Sequence, residues 1–349
     1  MRRSLVTATV IAAAVAVTAA GCGSSSSGAS GTGGSTGAAA SSNAPVESIK
    51  IVLGQANTGN AVLMYGIQSG LFKKYNLDVS YIVSDPTTTS AVLASGNADL
   101  AFSGTATAFL PVLQGKQTTS IYATSGGGAA AYVAGTAGVK SILDCKKMVE
   151  PASSIYSGWA TQLKKLYNAT YEIETVNAVA LLVPTITGGR ADCTTLYYGG
   201  LAPAVGQGLL HLIVDPTNRA SLPPGFPNSA IEGLLWGNAD QVAKKHDAMA
   251  RFVAAMTQAA KDVKAMTPEQ IVEAIKGDPN MSKLPVSTLV DSVKTDRVFY
   301  SPNDGVITRD NWNKLLEFLA ASNISPQITP SNPVFAYDKM VDSTLLPKQ

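Results

Sequence analysis

From residue 48 onward the chain alternates short apolar runs with stretches of helical spacing, separated by glycine stops. Ile49, Ile51 and Leu53 recur at period two and predict a strand over 48–53, followed by a polar turn over 54–60. A helix over 61–68 ends at Gly70, and a second strand covers 79–83. Asp85-Pro86 introduces a helix over 87–94 capped by Gly96, and 99–102 reads as a third strand. A helix over 106–114 and a strand over 119–123 repeat the alternation. This is the grammar of parallel α/β structure.

A second run begins near Lys147, with strand 147–149, a serine-rich turn, helix 156–166, strand 171–176, helix 178–186 and strand 193–196. Pro184 is expected to kink or shorten its helix. Gly96-Asn97-Ala98-Asp99 in the first run and Gly189-Arg190-Ala191-Asp192 in the second each stand between a helix and a strand, which points to two similar lobes. Three prolines within 222–228 close the second lobe, and 230–236 reads as a strand returning to the first. One long helix is expected over 240–265, with Val242, Met249, Phe252, Val253 and Met256 on its buried side. Thr267-Pro268 starts another as cap and first residue. A helix over 308–321 carries Trp312, Leu315, Leu316 and Leu319 inward. These methionine and aromatic stripes read as core, not as a cofactor box.

The N-terminus has a different character. Arg2 and Arg3 precede an uncharged stretch over 5–20, then Gly21 and Cys22, the order of an export signal over 1–21. Sixteen apolar or small residues ending in alanines are short for a permanent membrane span, so a cleaved leader is expected. Ala19-Ala20-Gly21-Cys22 resembles the lipobox of bacterial lipoproteins, in which Cys22 becomes the acylated first residue; a secreted soluble protein with a chance cysteine is the plainer alternative. Residues 23–45 hold 6 glycines and 8 serines and read as a flexible tether, assigned to 22–46, that would let a folded body drift roughly 25 Å. A lipid anchor and a loose leash fit together.

Of 349 residues, 46% are hydrophobic and 14% charged, enough to bury at least one sizeable core. Charge narrows the partners: 26 basic against 24 acidic residues leave no excess for neutralising phosphates, so nucleic acid is not expected. Without residues 1–21 the balance is 24 to 24. Three cysteines and two histidines are little material for a metal site or a cysteine-histidine pair, and neither metal nor cofactor is expected. Export would place Cys145 and Cys193 where a disulfide persists; we expect them to pair, closing a 48-residue loop worth about 4 kcal/mol in the chain-entropy model, against the alternative of two buried thiols.

In parallel sheets ligands bind at the carboxyl ends of strands, near helix N-termini. The loops there, 54–60, 103–107, 124–128, 152–158 and 197–200, contain no charged residue and no histidine, where about four charges would be expected by chance. Such a site works by dipoles. Backbone amides with Gln55, Asn57, Thr58, Ser103, Gly104, Thr105, Ser125, Gly126, Ser153, Ser154 and Ser157 suit a singly charged oxyanion or a neutral polar molecule. Tyr156, Tyr197, Tyr198 and Trp236 could wall in a small organic body. The bland alternative is that the serines are caps and turns and the tyrosines strand packing.

Catalytic signatures fail in turn. Gly126-x-Gly128-x-x-Ala131 fits a dinucleotide turn only superficially, because the alanine-rich 129–133 that follows is β-compatible and reads as a hinge crossing. There is no Gly-x-Ser-x-Gly elbow, Walker loop or His-Glu-x-x-His. His211 at a strand start and His246 on a helix face read as structural, and the Asn168-Ala169-Thr170 sequon as accidental.

Gly70-Leu71-Phe72-Lys73-Lys74-Tyr75-Asn76-Leu77-Asp78-Val79, Leu93-Ala94-Ser95-Gly96-Asn97-Ala98-Asp99-Leu100-Ala101-Phe102, and 139–147 followed by 188–193 resemble the substrate-binding proteins of ABC importers, in the nitrate, sulfonate, taurine and thiamine-precursor group. The resemblance spans roughly residues 48–275. It implies an α/β, two-lobed clamshell of periplasmic-binding-protein type II, each lobe a mixed, mostly parallel sheet flanked by helices. Lobe 1 would be 47–133 plus 230–349 and lobe 2 134–229. It further implies an extracytoplasmic protein, anchored through Cys22 to the outer face of the cytoplasmic membrane or envelope, monomeric and not an enzyme, that closes over a small solute and delivers it to a membrane permease. Gln55, Asn57, Ser103-Gly104-Thr105 and Ser153-Ser154 stand where the family's ligand loops fall. The charged contact common among sulfonate and nitrate binders is missing from these loops. Rival readings are a pyrimidine-precursor-synthase-like enzyme, which needs a lysine for a pyridoxal cofactor and a placed histidine, and an extracellular sensing module.

Overall fold

The structure, a computed structural model, describes residues 44–347 apart from Thr87, Ser153, residues 228–230 and Asn323. The leader, Cys22 and nearly all of the tether lie outside the described residues, as does Ser153. Among the described residues ten strands, β1 (Glu47–Leu53), β2 (Leu77–Val83), β3 (Leu100–Gly104), β4 (Thr118–Gly126), β5 (Tyr132–Gly135), β6 (Lys147–Pro151), β7 (Glu172–Val176), β8 (Cys193–Leu196), β9 (His211–Val214) and β10 (Ile231–Asn238), form two five-stranded sheets. The helices are α1 (Ala61–Gln68), α2 (Leu71–Lys74), α3 (Thr89–Ala94), α4 (Ala106–Leu113), α5 (Ile155–Leu166), α6 (Leu182–Thr187), α7 (Tyr198–Gly206), α8 (Ala239–Lys244), α9 (His246–Ala265), α10 (Pro268–Ile275), α11 (Val286–Asp296), α12 (Arg309–Ala321) and α13 (Tyr337–Met340). Among the described residues no helix is long and apolar enough to cross a membrane.

Sheet A runs β2-β1-β3-β10-β4 and sheet B β7-β6-β8-β5-β9. In each, the first three strands are parallel and one strand is antiparallel to both its neighbours, β10 in A and β5 in B. That strand is in both cases the one that has just crossed from the other sheet. The fold is thus the two-lobed, mixed α/β arrangement the sequence implies. Tyr132 and Val133 already pair with Leu196 and Thr195 of β8, so sheet B begins at the end of the alanine-rich crossing.

The repeated Gly-x-Ala-Asp phrase has a definite task in each lobe. Gly96 and Gly189 take left-handed φ values of 73° and 74°, which a side chain would strain, and turn the chain out of α3 and α6. Ala98 and Ala191 are buried. Asp99 then accepts the Lys50 amide at 2.9 Å, and Asp192 the Lys147 amide at 2.9 Å, so each carboxylate fixes the start of its strand against the parallel neighbour. Cys193 follows Asp192 directly and lies at disulfide-forming distance from Cys145, their Cα atoms 6.1 Å apart, where β8 meets the segment that enters β6.

Two helices depart from the sequence expectation. The expected 240–265 helix is broken at Lys245, whose backbone leaves helical geometry while its Nζ reaches the Ser48 carbonyl at 2.9 Å and the Asp99 carboxylate at 2.7 Å. The expected 178–186 helix is a 3₁₀ turn, Val179–Leu181, followed by α6, with Pro184 in its first turn. Amides in a helix's first turn have no intrahelical acceptor, so Pro184 opens the helix instead of kinking it. The expected turn over 197–200 is the cap and first residues of α7.

One apolar core lies between sheet A and α1, α9 and α10, built on Ile49, Ile51, Phe72, Phe252 and Met256. The other extends through sheet B and the C-terminal helices. There α12 reaches both halves: Trp312 stacks on Phe109 of α4, and Phe318 packs against Trp159 of α5.

Candidate functional site

The ends of strands from both sheets converge on one partly open cleft, with a cavity of about 70 Å³. Sheet A contributes Gly54, Gln55 and Asn57 after β1, Pro86 after β2, Phe102, Ser103 and Gly104 at the end of β3, Ser125 of β4 and Gly233 of β10. Sheet B contributes Ser154, Ile155 and Tyr156 after β6 and Tyr197 after β8. Asn60 and Thr107 complete the lining with Gly59. Among the described residues, none in the lining is charged.

Local sequence explains how these side chains are held. Asn57 accepts the Gly59 amide at 2.8 Å while Asn60 accepts the Asn57 amide at 3.2 Å, a reciprocal cap on the turn after β1. Ser154 donates to the Pro151 carbonyl at 2.7 Å and opens α5. Thr107 donates to the Gly104 carbonyl at 2.7 Å. Its only proton being spent, the 2.6 Å contact between Ser103 and Thr107 must be donated by Ser103. Ser103 in turn accepts the Trp236 indole N–H at 2.9 Å. This relay runs one way, and its hydroxyls keep only lone pairs for a guest.

The two sheets meet directly at the cleft. Ser125 of β4 and the Tyr197 hydroxyl are 2.9 Å apart, and Tyr197 packs edge-on against Tyr156 with ring centroids 5.7 Å apart. A Cβ on Gly104 would lie 3.1 Å from Ile155 Cγ2, and one on Gly199 would lie 2.5 Å from Thr58 Oγ1. Glycine at these positions permits the close approach of the two sides.

Of the residues expected from sequence, Gln55, Asn57, Ser103, Gly104, Ser125, Ser154, Tyr156 and Tyr197 are brought together in the lining. Thr58, Thr105, Gly126, Ser157 and Tyr198 lie outside it. Thr58 is buried and donates to Asp296 at 2.7 Å. Thr105 is buried with its amide on the Glu232 carbonyl, Gly126 ends β4, Ser157 donates to the Pro151 carbonyl, and Tyr198 packs on Tyr132. Trp236 is no wall of the cleft; it lies buried behind Ser103.

Sequence reasoning missed the acids beside this uncharged lining. Glu232, the residue before Gly233, is fully buried and accepts from the Gly128 amide at 3.1 Å, the Ala130 amide at 3.1 Å and the Trp159 indole at 2.6 Å. Burial outweighs these donors and pushes its carboxyl up to about 7. Asp296, at the end of α11, receives Thr58 and the Gly199 amide; burial likewise raises it to about 7. Its Oδ1 has no partner. Glu150 on β6 is pushed up by burial to about 7. The readable signal for Glu232 was a lone charge inside the otherwise apolar 231–236. Asp296 had none, because the sequence reading assigned no element there.

Comparison with known proteins gives both a family and a fold. Residues 57–271 match a family model described as NMT1/THI5 like. No curated protein matches the chain in sequence. The ligand-binding component of an ABC-type import system from Staphylococcus aureus, solved with zinc bound, has a TM-score of 0.68 at 15% identity, covering 86% of this chain and 97% of its own. The nitrate-binding protein NrtA of Synechocystis PCC 6803 has a TM-score of 0.66 at 16% identity, covering 87% and 88%. The alkanesulfonate-binding protein SsuA of Xanthomonas axonopodis pv. citri, bound to MOPS, has a TM-score of 0.65 at 10% identity, covering 83% and 97%. At these identities the likeness is one of fold.

Proposed function

The chain belongs to the NMT1/THI5-like family, and on that footing we propose that it is an extracytoplasmic solute-binding protein, which closes two lobes over a small organic solute or oxyanion and delivers it to an ABC import permease. The observation that carries this reading is the cleft itself, lined from both sheets and spanned by the Ser125–Tyr197 hydrogen bond. A solute that touches both sides stabilises the closed arrangement by its differential affinity, and that is all the mechanism requires. The lobes are taken as expected from sequence, 47–133 with 230–349 and 134–229, except that Tyr132 and Val133, which pair in sheet B, go with the second. The reading is one of binding without chemistry, in keeping with a lining that contains no lysine or histidine among the described residues.

Anchoring through Cys22 and a monomeric state belong to the same proposal. Replacing Cys22 by alanine should move the protein from the membrane fraction to the soluble one. The central test is a thermal-shift panel with native mass spectrometry of the purified protein. Stabilisation by at least one small solute, with a smaller radius of gyration in solution when it is bound, is the expected result; a protein that no solute stabilises or compacts does not work this way.

A further inference from the structure

We infer, on the footing of the solute-binding reading above, that Asp296 is a positioning residue which latches the two sides of the cleft in its protonated form, so that closing takes up one proton and opening releases it.

Asp296 lies outside the lining but holds both of its sides. Its carboxyl accepts the Thr58 hydroxyl at 2.7 Å, from the turn after β1, and the Gly199 amide, from the first turn of α7. Asn57 and Gly59 line the cleft on either side of Thr58 in the chain, and Tyr197 lines it just before Gly199. The helix that carries Asp296, α11, packs on α7 as well as on α10 and the turn over 58–60. Whichever side α11 follows, parting the two must break one of these two bonds. It also lets water reach a carboxyl that is buried while the sides are together.

The closed arrangement suits the neutral acid better than the carboxylate. It supplies two uncharged donors and leaves Oδ1 buried without a partner. An ionised oxygen buried without a donor is costly, whereas the acid form carries its own proton there. Among the described residues no lysine, arginine or histidine acts on the group to change this. Neither α7 nor the turn over 58–60 has a charged residue. The titratable groups around it are the hydroxyls of Tyr132, Tyr156, Tyr197, Tyr198 and Tyr300, on each of which Asp296 acts. Glu269 and Glu273 of α10 and Asp291 and Lys294 of α11 are exposed, and Arg297 turns its guanidinium to the Lys264 carbonyl at 3.1 Å. Burial accordingly raises the Asp296 carboxyl to about 7, from 3.8. Once the sides part, water returns it toward its ordinary value. Between those values the open form has lost a proton that the closed form keeps, so opening becomes easier as pH rises through that window.

The test uses the mature protein and the proton alone as probe. Hydrogen exchange at the Gly199, Gly200 and Leu201 amides, corrected for the pH dependence of exchange itself and read against amides of β1 and β6, reports local parting beside the cleft. Carbon NMR follows the Asp296 carboxyl in the same samples. Protection at the start of α7 should fall by up to about tenfold per pH unit between pH about 5 and 7 and level off above. The carboxyl should titrate over the same range, well above its ordinary value. Asp296→Asn should abolish the pH dependence and keep α7 protected in alkaline buffer, while Glu232→Gln should leave the wild-type profile in place. Protection that does not change with pH in wild type overturns the inference, as does a carboxyl that titrates at or below its ordinary value. So does a profile that survives in Asp296→Asn or vanishes in Glu232→Gln. Each of these outcomes leaves the solute-binding reading standing, because that reading fails on the solute panel and not on the proton.

Discussion

Glu232 accepts the indole N–H of Trp159 at 2.6 Å, and this one bond joins the crossing strand of sheet A to the helix that opens the binding side of sheet B. The same carboxylate holds two amides of the other crossing. Trp159→Phe removes one charge-assisted bond but keeps a ring packed between Phe226 and Phe318, and it should cost about 2 kcal/mol. Glu232→Ala strands three buried donors and should cost more, on the order of 4 kcal/mol. Urea unfolding checks both, and equal stability of Trp159→Phe and wild type would show that the bond contributes nothing.

Three buried carboxyls set the pH dependence. Glu150, Glu232 and Asp296 are each raised to about 7 in the folded protein, from ordinary values of 4.5, 4.5 and 3.8. Between those values and about 7 the unfolded chain has released these protons and the folded chain has not. The unfolded state therefore binds fewer protons, and stability falls as pH rises through this window, by up to about 1.4 kcal/mol per group per pH unit. The midpoint of thermal unfolding should be highest in mild acid and flatten above pH about 7. Asp296→Asn keeps an acceptor for Thr58 and removes one of the three groups, so its slope should be shallower and its midpoint higher than wild type at alkaline pH. A wild-type midpoint that rises from pH about 5 to 7 would refute the assignment.

Much of the framework was legible because its signals are local. A period-two run located β1, short runs after a glycine stop located β3 and β8, and the glycine-alanine-aspartate phrase located the same joint in both lobes, where Asp99 and Asp192 each cap a neighbouring strand. Lys245 was not legible as a helix break, because its reason is an ion pair with Asp99, far away in sequence. The lining was partly legible through uncharged loops at strand ends. Thr58 and Tyr198 share that chemistry but face inward or sideways, a matter of orientation that composition does not carry. The carboxylates were hidden for a related reason. Their partners, Trp159 and Gly128 for Glu232 and Thr58 for Asp296, lie between 73 and 238 residues away.

Cys145 and Cys193 close a 48-residue loop that holds β6 and β7 and ends at β8. Oxidised in an exported protein, the pair should stabilise the fold by up to about 4 kcal/mol. The Cys145→Ser/Cys193→Ser double variant should lose most of that in urea unfolding without reductant, and wild type should match the double variant once fully reduced. Titration of the unfolded, unreduced protein should find neither thiol free.

Gly199→Ala separates closure from folding. A Cβ there would sit 2.5 Å from Thr58 Oγ1, closer than real contacts allow, and a tight 3.0 Å from Asp296 Oδ2. Gly199 belongs to α7, just after β8 of sheet B, whereas Thr58 follows β1 of sheet A; Asp296 ends α11, which packs on both α7 and α10. Within α7 itself alanine is a better helix former than glycine, by about 1 kcal/mol. The clash with Thr58 therefore lies between the two sides, beside the cleft, and the least costly relief is to part them. The variant should keep its cooperative unfolding and lose affinity for whichever solute stabilises the wild type. Its radius of gyration with saturating solute should stay near the value of the solute-free protein. If Gly199→Ala binds and compacts like wild type, the contact between Thr58, Gly199 and Asp296 is not where the two sides close, and the cleft must shut about some other pair of surfaces.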